Sequence, residues 1–268
     1  MENLNSQNNR TAVILCGGKG TRLGDIGKKI PKTLVKIQGK EILWFIISSL
    51  LKNNFQNIIL PLGYKSEKIK KFIKKQFKKK INNIKLVNTG TNTNIGKRIS
   101  LILPHIKSDN FVLMNGDAIF NLNLKSILSK HIKDRSFVTF LIGTITNPYG
   151  TIGVKKNKVI DFKRNLVYES INVRNYSNYK AYSYSGISIL NTNFLKQKKK
   201  IISKSKNFEQ DLYPLIIKKN KVNLFKIRSI WHSVDNIKDI ISVNSNKQDK
   251  QKYLKLKKLK KNLKEHEY

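Results

Sequence analysis

The sequence predicts an α/β fold: a mixed, mostly parallel sheet with helices on both faces. Three observations carry that expectation. Short apolar runs at Thr11–Leu15, Ile58–Leu62 and Phe111–Met114 read as strands covered on both sides. Helically spaced segments lie between them, at Ile42–Leu51 and Ser66–Phe77. The first and last of these strands break at once into glycine, at Gly17-Gly18 and at Asn115-Gly116-Asp117. Strands that alternate with helices build a parallel sheet, and its ligands sit beyond the carboxyl ends of the strands.

In order along the chain, the first ten residues, rich in Asn and Gln, read as a disordered tail without the apolar stretch of a signal peptide. Thr11–Leu15 is the first strand. Ile42–Leu51 is apolar nearly all round, so it is a helix pressed into the core. Ile58–Leu62 is a strand, and Ser66–Phe77 a helix with Ile69, Phe72, Ile73 and Phe77 on one face and lysines on the other. Lys85–Val87 is a strand, Lys97–Leu103 a helix, and Phe111–Met114 the strand that leads into Asp117. From Ser136 the texture changes to strands at Phe137–Thr144, within Thr151–Phe162 and at Ser185–Leu190, with a polar stretch at Asn172–Tyr182 and a helix at Phe208–Lys218. Residues 11–246 read as one domain. Residues 247–268 form a basic helix with Tyr253, Leu256, Leu259 and Leu263 on one face, suited to docking on the parent domain or a partner subunit; a membrane-surface or nucleic-acid helix is the competing reading.

At 268 residues the chain can bury a full core. One cysteine, Cys16, excludes an internal disulfide framework and a multi-cysteine zinc site and fits a reducing, cytoplasmic location; its place between strand and glycines marks it as a small buried residue. No apolar run approaches the roughly eighteen residues of a membrane span. The net charge of +38 would ordinarily point to nucleic acid or an anionic surface. Here Lys far outnumbers Arg, Ile and Asn are also heavily used, and the lysines are spread over the whole chain. That is the mark of an A/T-rich coding sequence on solvated surface, so a nucleic-acid partner is not expected, although such a field still steers anionic substrates inward. The four histidines, His105, His131, His232 and His266, are scattered along the chain and form no cluster of zinc ligands, which argues against zinc.

The segment Leu15-Cys16-Gly17-Gly18-Lys19-Gly20-Thr21-Arg22-Leu23 hands a buried strand to a loop that can wrap a phosphate chain, because glycine allows close backbone approach and positive φ. Thr21, Arg22 and Lys32 add a hydroxyl and two cations. A dinucleotide loop would require glycine at position 23, where Leu stands, and Gly90 to Gly96-Lys97-Arg98 misses the Walker spacing. A nucleoside triphosphate is the expected ligand. Phosphate transfer from it calls for charge neutralisation and usually Mg²⁺, which takes one or two hard carboxylates. Asp117, after a buried strand and Gly116, is the first candidate ligand; Asp235, in Trp231-His232-Ser233-Val234-Asp235, is the second.

The spacing Leu-x-Gly-Gly-x-Gly-Thr-Arg-Leu followed by Pro31-Lys32 resembles the opening of the sugar-1-phosphate nucleotidyltransferases, and the resemblance runs over roughly residues 11–240. Asn88-Thr89-Gly90, Gly96-Lys97-Arg98, Ile42-Leu43-Trp44, Gly63-Tyr64-Lys65 and Phe208-Glu209-Gln210-Asp211 resemble the glucose-1-phosphate cytidylyltransferases in particular. The resemblance implies the Rossmann-like fold of nucleotide-diphospho-sugar transferases, Mg²⁺ as cofactor, an NTP (CTP) and a sugar 1-phosphate as substrates, a possible homo-oligomer and a place in surface-polysaccharide precursor synthesis. It implies Arg22, Lys32 and Asp117 as catalytic groups and Asp117 and Asp235 as metal ligands. Leu15, Gly17, Gly18, Gly20, Thr21, Thr89, Gly90, Arg98 and Gly116 would line the nucleotide, with Arg98 facing it. Lys163, Gly186 and Glu209 would meet the sugar phosphate.

Departures from the pattern leave the reaction type standing and the sugar open. Asn88 replaces an aspartate, and Ile95 and Lys97 replace Thr and Gly. Phe162-Lys163-Arg164-Asn165 stands where the family carries Glu-Lys-Pro, and only Gly186 persists of an Asn-Gly-Gly. Heptose- or mannose-1-phosphate guanylyltransferases therefore compete with the cytidylyl reading. A catalytically silent binding homologue and a polyanion-binding protein, marked by a steep salt slope, are the rivals from other classes.

Overall fold

Parallel strands covered on both faces need a helix after each, and the computed structural model alternates them accordingly. It describes residues 10–18, 20–146, 150–164, 166–172, 180–218, 221–245 and 249–265. The expected tail over residues 1–9, Lys19, Asn165, most of the polar stretch (173–179) and residues 247–248 and 266–268 of the expected last helix lie outside the described residues. The first half runs β1 (Thr11–Leu15), α1 (Gly24–Lys29), β2 (Lys36–Ile37), β3 (Lys40–Glu41), α2 (Ile42–Lys52), β4 (Asn57–Leu62), α3 (Ser66–Gln76) and β5 (Ile84–Asn88). Then come α4 (Ile95–Ile102), β6 (Asn110–Asn115), β7 (Ala118–Phe120), α5 (Leu124–Lys133) and β8 (Val138–Gly143). The second half begins with short strands, β9 (Ile145–Thr146), β10 (Gly150–Lys155), β11 (Lys158–Arg164), β12 (Val167–Tyr168), β13 (Ile171–Asn172) and β14 (Lys180–Ala181). It closes with β15 (Ser183–Asn191), α6 (Thr192–Gln197), α7 (Lys199–Lys204), α8 (Phe208–Ile217), β16 (Val222–Lys226), β17 (Trp231–Ser233), α9 (Ile237–Asn244) and α10 (Lys250–Lys264).

The central sheet has seven strands in the order β16-β8-β15-β6-β1-β4-β5. Its pairs are parallel except where β15 runs antiparallel between β6 and β8, so the sheet is mixed and mostly parallel. Alternate residues of each strand enter opposite cores. Ala12, Ile14, Val112 and Met114 join α2, α3, α5 and α10 on one face, whereas Val13, Phe111 and Leu113 join α4, α6, α7 and α8 on the other. All ten residues from Ile42 to Leu51 are buried, which explains the lack of a polar face on α2.

The basic C-terminal helix docks on its own chain. Leu256, Leu259 and Leu263 belong to the same core cluster as α2, and Lys260 Nζ donates to Gln38 O at 2.8 Å. Asp249 caps the helix by accepting from Lys252 N. The hairpin β10–β11 lies outside both cores, with Ile152, Val154, Val159 and Phe162 exposed.

Two histidines are buried within this frame. His131 on α5 places Nδ1 2.8 Å from Thr139 Oγ1 and Nε2 3.1 Å from Asn110 Oδ1. Burial pushes its imidazole down to about 4, against the opposing charge of Asp134. Between that value and the unfolded value near 6.5 the unfolded chain binds the proton and the folded chain does not, so stability falls as pH is lowered through this window. Wild-type protein is expected to lose about 2 kcal/mol from this group between pH 7 and pH 5. Urea titrations at the two pH values should show that loss, and His131→Asn should be less stable at pH 7 with a flatter pH dependence.

Candidate active site

The loop after β1 is shaped by what lies beneath it. Cys16 is buried, and burial pushes its thiol up to about 12 although the Arg98 charge opposes the shift, so it is an inert packing residue. A Cβ on Gly17 would lie 2.3 Å from Arg98 Nη1, and one on Gly63 would lie 2.5 Å from the same atom. Gly18, by contrast, has no atom within 4 Å of its Cβ position and faces open space. Gly20 takes φ +64, and α1 folds back so closely that a Cβ on Gly27 would meet Gly20 O at 2.4 Å. Thr21 and Arg22 follow, exposed, in a 3-10 turn.

Arg98 fills the space under these glycines. Its guanidinium donates to Leu62 O, Thr89 Oγ1, Gly17 O and Thr91 O, and the residue is only 4% exposed. The resemblance had Arg98 facing the nucleotide; the structure instead turns it inward, because the carbonyls at the ends of β1 and β4 converge on it. It supports the Gly17 loop and the Thr89–Thr91 segment from behind. Thr89 is itself buried, with its hydroxyl on Leu62 O, and Gly90 turns outward at φ +86 with its N–H on Asn88 Oδ1.

The charged centre is assembled by strand ends. β1 and β6 are paired in register up to Leu15 opposite Asn115, and Gly116 N donates to Leu15 O at 3.0 Å. A Cβ at Gly116 would stand 2.6 Å from both Leu15 O and Thr33 Cγ2, so the close approach this glycine permits is to the protein's own chain. Asp117 emerges next. β7 pairs antiparallel with β17, Ala118 opposite Ser233, and Val234 N donates to Asp117 O, which brings Asp235 beside Asp117. Ser233 Oγ donates to Asp235 Oδ2 at 2.8 Å, and Asp235 N donates to Asp239 Oδ2 at 2.7 Å; Asn236 and Asp239 form the capping box of α9.

Lys32 spans the two acids. Its Nζ donates to Asp117 Oδ2 at 2.7 Å and to Asp235 Oδ1 at 3.0 Å, and Arg22 Nη1 stands 4.0 Å from the latter oxygen. Burial alone would lower the Lys32 pKa, but the charges and hydrogen bonds of Asp117 and Asp235 outweigh it and hold the ammonium above the usual lysine value. Burial likewise tends to raise Asp235, and the hydrogen bonds from Lys32 and Ser233, with the Lys32 and Arg22 charges, prevail and hold it low.

The sugar side expected from sequence is reached in part. Glu209 opens α8, half-buried, and its carboxyl is raised by burial and by the charge of Asp117, which places both acids in one field. Behind it the Tyr184 and Tyr213 hydroxyls bond at 3.0 Å, and Tyr213 reaches Ser188 Oγ at 3.2 Å. Gly186 has φ +76, and a Cβ there would stand 2.6 Å from Asn115 Nδ2, so β15 closes on the Asn115-Gly116-Asp117 turn. Lys163 is different. It sits on the exposed β10–β11 hairpin in an ion pair with Asp161, and no described contact joins it to the centre. Sequence reasoning missed Ser233 and Asp239 as supports of Asp235, although the Asn236-x-x-Asp239 spacing after an apolar strand carried the capping signal.

Two carboxylates within reach of one cation, on strand ends beside an open glycine loop, fit Mg²⁺ with phosphate and water completing its shell. Among the described residues no three His, Cys, Asp or Glu side chains gather, as a closed protein cage would require. Nor is any described helix long and apolar enough to cross a membrane.

Residues 11–250 match the family model described as nucleotidyl transferase. The chain is 27% identical over 258 residues to a probable glucose-1-phosphate cytidylyltransferase of Bacillus subtilis, covering 87% of this chain and 94% of that protein. It is 35% identical over 160 residues to a D-glycero-alpha-D-manno-heptose 1-phosphate guanylyltransferase of Campylobacter jejuni, covering 58% and 68%. In fold it is similar to the crystal structure of a putative glucose-1-phosphate thymidylyltransferase from Bacillus anthracis in complex with sucrose, with TM-score 0.68, 15% identity and coverage of 90% and 96%.

Removing the buried clamp should be costly. Arg98→Met takes a buried donor from the Thr91 carbonyl and the Thr89 hydroxyl, while Tyr64 N still donates to Gly17 O and Thr89 N and Oγ1 still donate to Leu62 O. With the lost packing under Gly17 and Gly63 it is expected to lower stability by about 1–3 kcal/mol in urea unfolding. Retention of wild-type stability would contradict the supporting role given to this side chain.

Proposed function

The chain belongs to the nucleotidyl transferase family, and from that premise we propose that it transfers a nucleotidyl group from a nucleoside triphosphate to a sugar 1-phosphate. The observation that carries this reading is the junction of Gly17, Gly18 (which faces open space) and Gly20 with the Lys32–Asp117–Asp235 centre at one end of the sheet. A phosphate oxygen of the sugar 1-phosphate attacks the α-phosphorus, the bond to the bridging oxygen breaks, and pyrophosphate leaves with that electron pair. No covalent enzyme intermediate is required.

Gly17, Gly18 and Gly20 let the triphosphate approach the backbone, and exposed Arg22 takes charge on the β- and γ-phosphates. Lys32 stabilises charge developing at the reacting phosphate. Asp117 and Asp235 would hold Mg²⁺, which when bound draws charge from the phosphate oxygens. Glu209, half-buried and with its carboxyl raised by burial and by the charge of Asp117, accepts hydrogen bonds from sugar hydroxyls. CTP is the proposed nucleotide, supported by the likeness to the Bacillus subtilis protein over nearly its full length and by Asn88-Thr89-Gly90 beside the loop. GTP with a heptose 1-phosphate is the second reading, favoured by the higher identity to the Campylobacter protein over 160 residues. The product would feed synthesis of surface polysaccharide in the cytoplasm.

Pyrophosphate release with Mg²⁺ tests the proposal, with CTP, UTP, dTTP, GTP and ATP each offered against glucose, mannose and heptose 1-phosphates. Release with CTP and glucose 1-phosphate is expected; release confined to GTP and the heptose ester would establish the second reading, and silence with every pair would overturn both. Lys32→Ala should lower kcat about a hundredfold or more. Near-normal turnover by Asp117→Ala would remove Asp117 from the centre.

A further inference from the structure

Lys32 meets two carboxylates that are remote in sequence and adjacent in space. Asp117 Oδ2 and Asp235 Oδ1 both accept from its Nζ, at 2.7 and 3.0 Å. With Arg22 Nη1 4.0 Å from the same Asp235 oxygen, both carboxylates are already ion-paired. A divalent cation brought to these carboxylates meets an ammonium already seated on both. The two positive charges would compete for the same oxygens, and charge repulsion between them opposes the addition. A triphosphate reverses that balance, because it supplies negative oxygens for both the metal and the displaced ammonium.

The lysine also has somewhere to go. Its stem lies against the glycine loop, since a Cβ on Gly20 would stand 3.2 Å from Lys32 Cβ. Its backbone is fixed by the 3-10 turn after Pro31, so rotation of the flexible four-carbon stem carries Nζ from the carboxylates toward the loop without moving the chain. Ser233 and the Asp239-bound backbone hold Asp235 in place independently of Lys32, so the carboxylate pair stays poised when the ammonium leaves.

We propose that Lys32 is a place-holder for the metal: in the nucleotide-free protein it sits on Asp117 and Asp235, holds a divalent cation off, and releases the site when a triphosphate takes its ammonium. This rests on the reading of the centre as a nucleotidyl transfer site. Metal and nucleotide then bind synergistically, and each tightens the other by the same factor.

The test is Mn²⁺ binding to the full chain, followed by the electron paramagnetic resonance signal of the free ion, first without nucleotide and then with CTP or GTP but no sugar phosphate. Lys32→Met is expected to bind Mn²⁺ alone at least tenfold more tightly than wild type, and the added change Asp117→Asn should abolish that gain. Lys32→Arg, which keeps the charge, should stay at the wild-type level. Should Lys32→Met fail to fold, Lys32→Gln carries the same expectation. A folded neutral variant with unchanged or weaker Mn²⁺ affinity overturns the place-holder. If nucleotide tightens Mn²⁺ equally in wild type and the neutral variant, the place-holder falls and the transfer reading stands. If the neutral variant gains affinity but no nucleotide affects either protein, Lys32 blocks the cation but is not released by a triphosphate, and both the place-holder as proposed and the transfer reading fall.

Discussion

β1 and β6 run parallel and in register, Leu15 opposite Asn115, so two buried strands leave the sheet at the same level. The hydrogen bond from Gly116 N to Leu15 O fixes that level, and the absence of a side chain at Gly116 lets the two exits touch. The candidate site is hung from this junction. The glycine loop departs from one strand, Asp117 from the other, Thr33 of the Lys32 turn packs against Gly116, and Gly186 of β15 closes on Asn115 from the far side. A substitution that opened the junction would separate groups that are far apart in sequence but rely on one backbone contact.

The charges are distributed in two layers. Beneath the loops, the Arg98 guanidinium is satisfied by carbonyls and a hydroxyl, so its positive charge is supported by dipoles and remains felt by a ligand above it. At the surface of the junction, Lys32 and Arg22 offset Asp117 and Asp235. The arrangement suits an anionic ligand that arrives with its own cation. The net charge of +38 works at longer range: it raises the local concentration of anions around the centre.

The long elements were legible because each carries a full period of pattern. Ala12–Leu15 and Phe111–Met114 are unbroken apolar runs, and the nearly all-round apolar character of Ile42–Leu51 anticipated its complete burial. The pairing of β7 with β17 was not legible, since three residues show no periodicity and their partnership is set by the tertiary fold. Yet that pairing is what seats Asp235 beside Asp117. α5 was also passed over, although Asn123 as cap and Leu124, Ile127, Leu128 and His131 on one face mark it. The inward turn of Arg98 was beyond reach for another reason: it depends on Gly17 and Gly63 leaving a space that only their meeting creates. Lys163 was placed by resemblance in a stretch where the pattern departs, and the hairpin holds it in a local pair with Asp161.

A crystal structure with a nucleoside triphosphate and Mn²⁺ tests the central claim most directly. The expected structure has the triphosphate against Gly17, Gly18, Gly20 and Thr21, the metal on Asp117 and Asp235, and Lys32 Nζ moved from the carboxylates to a phosphate oxygen. A nucleotide bound elsewhere, or bound at the loop with Lys32 still on both carboxylates and no metal there, would contradict it.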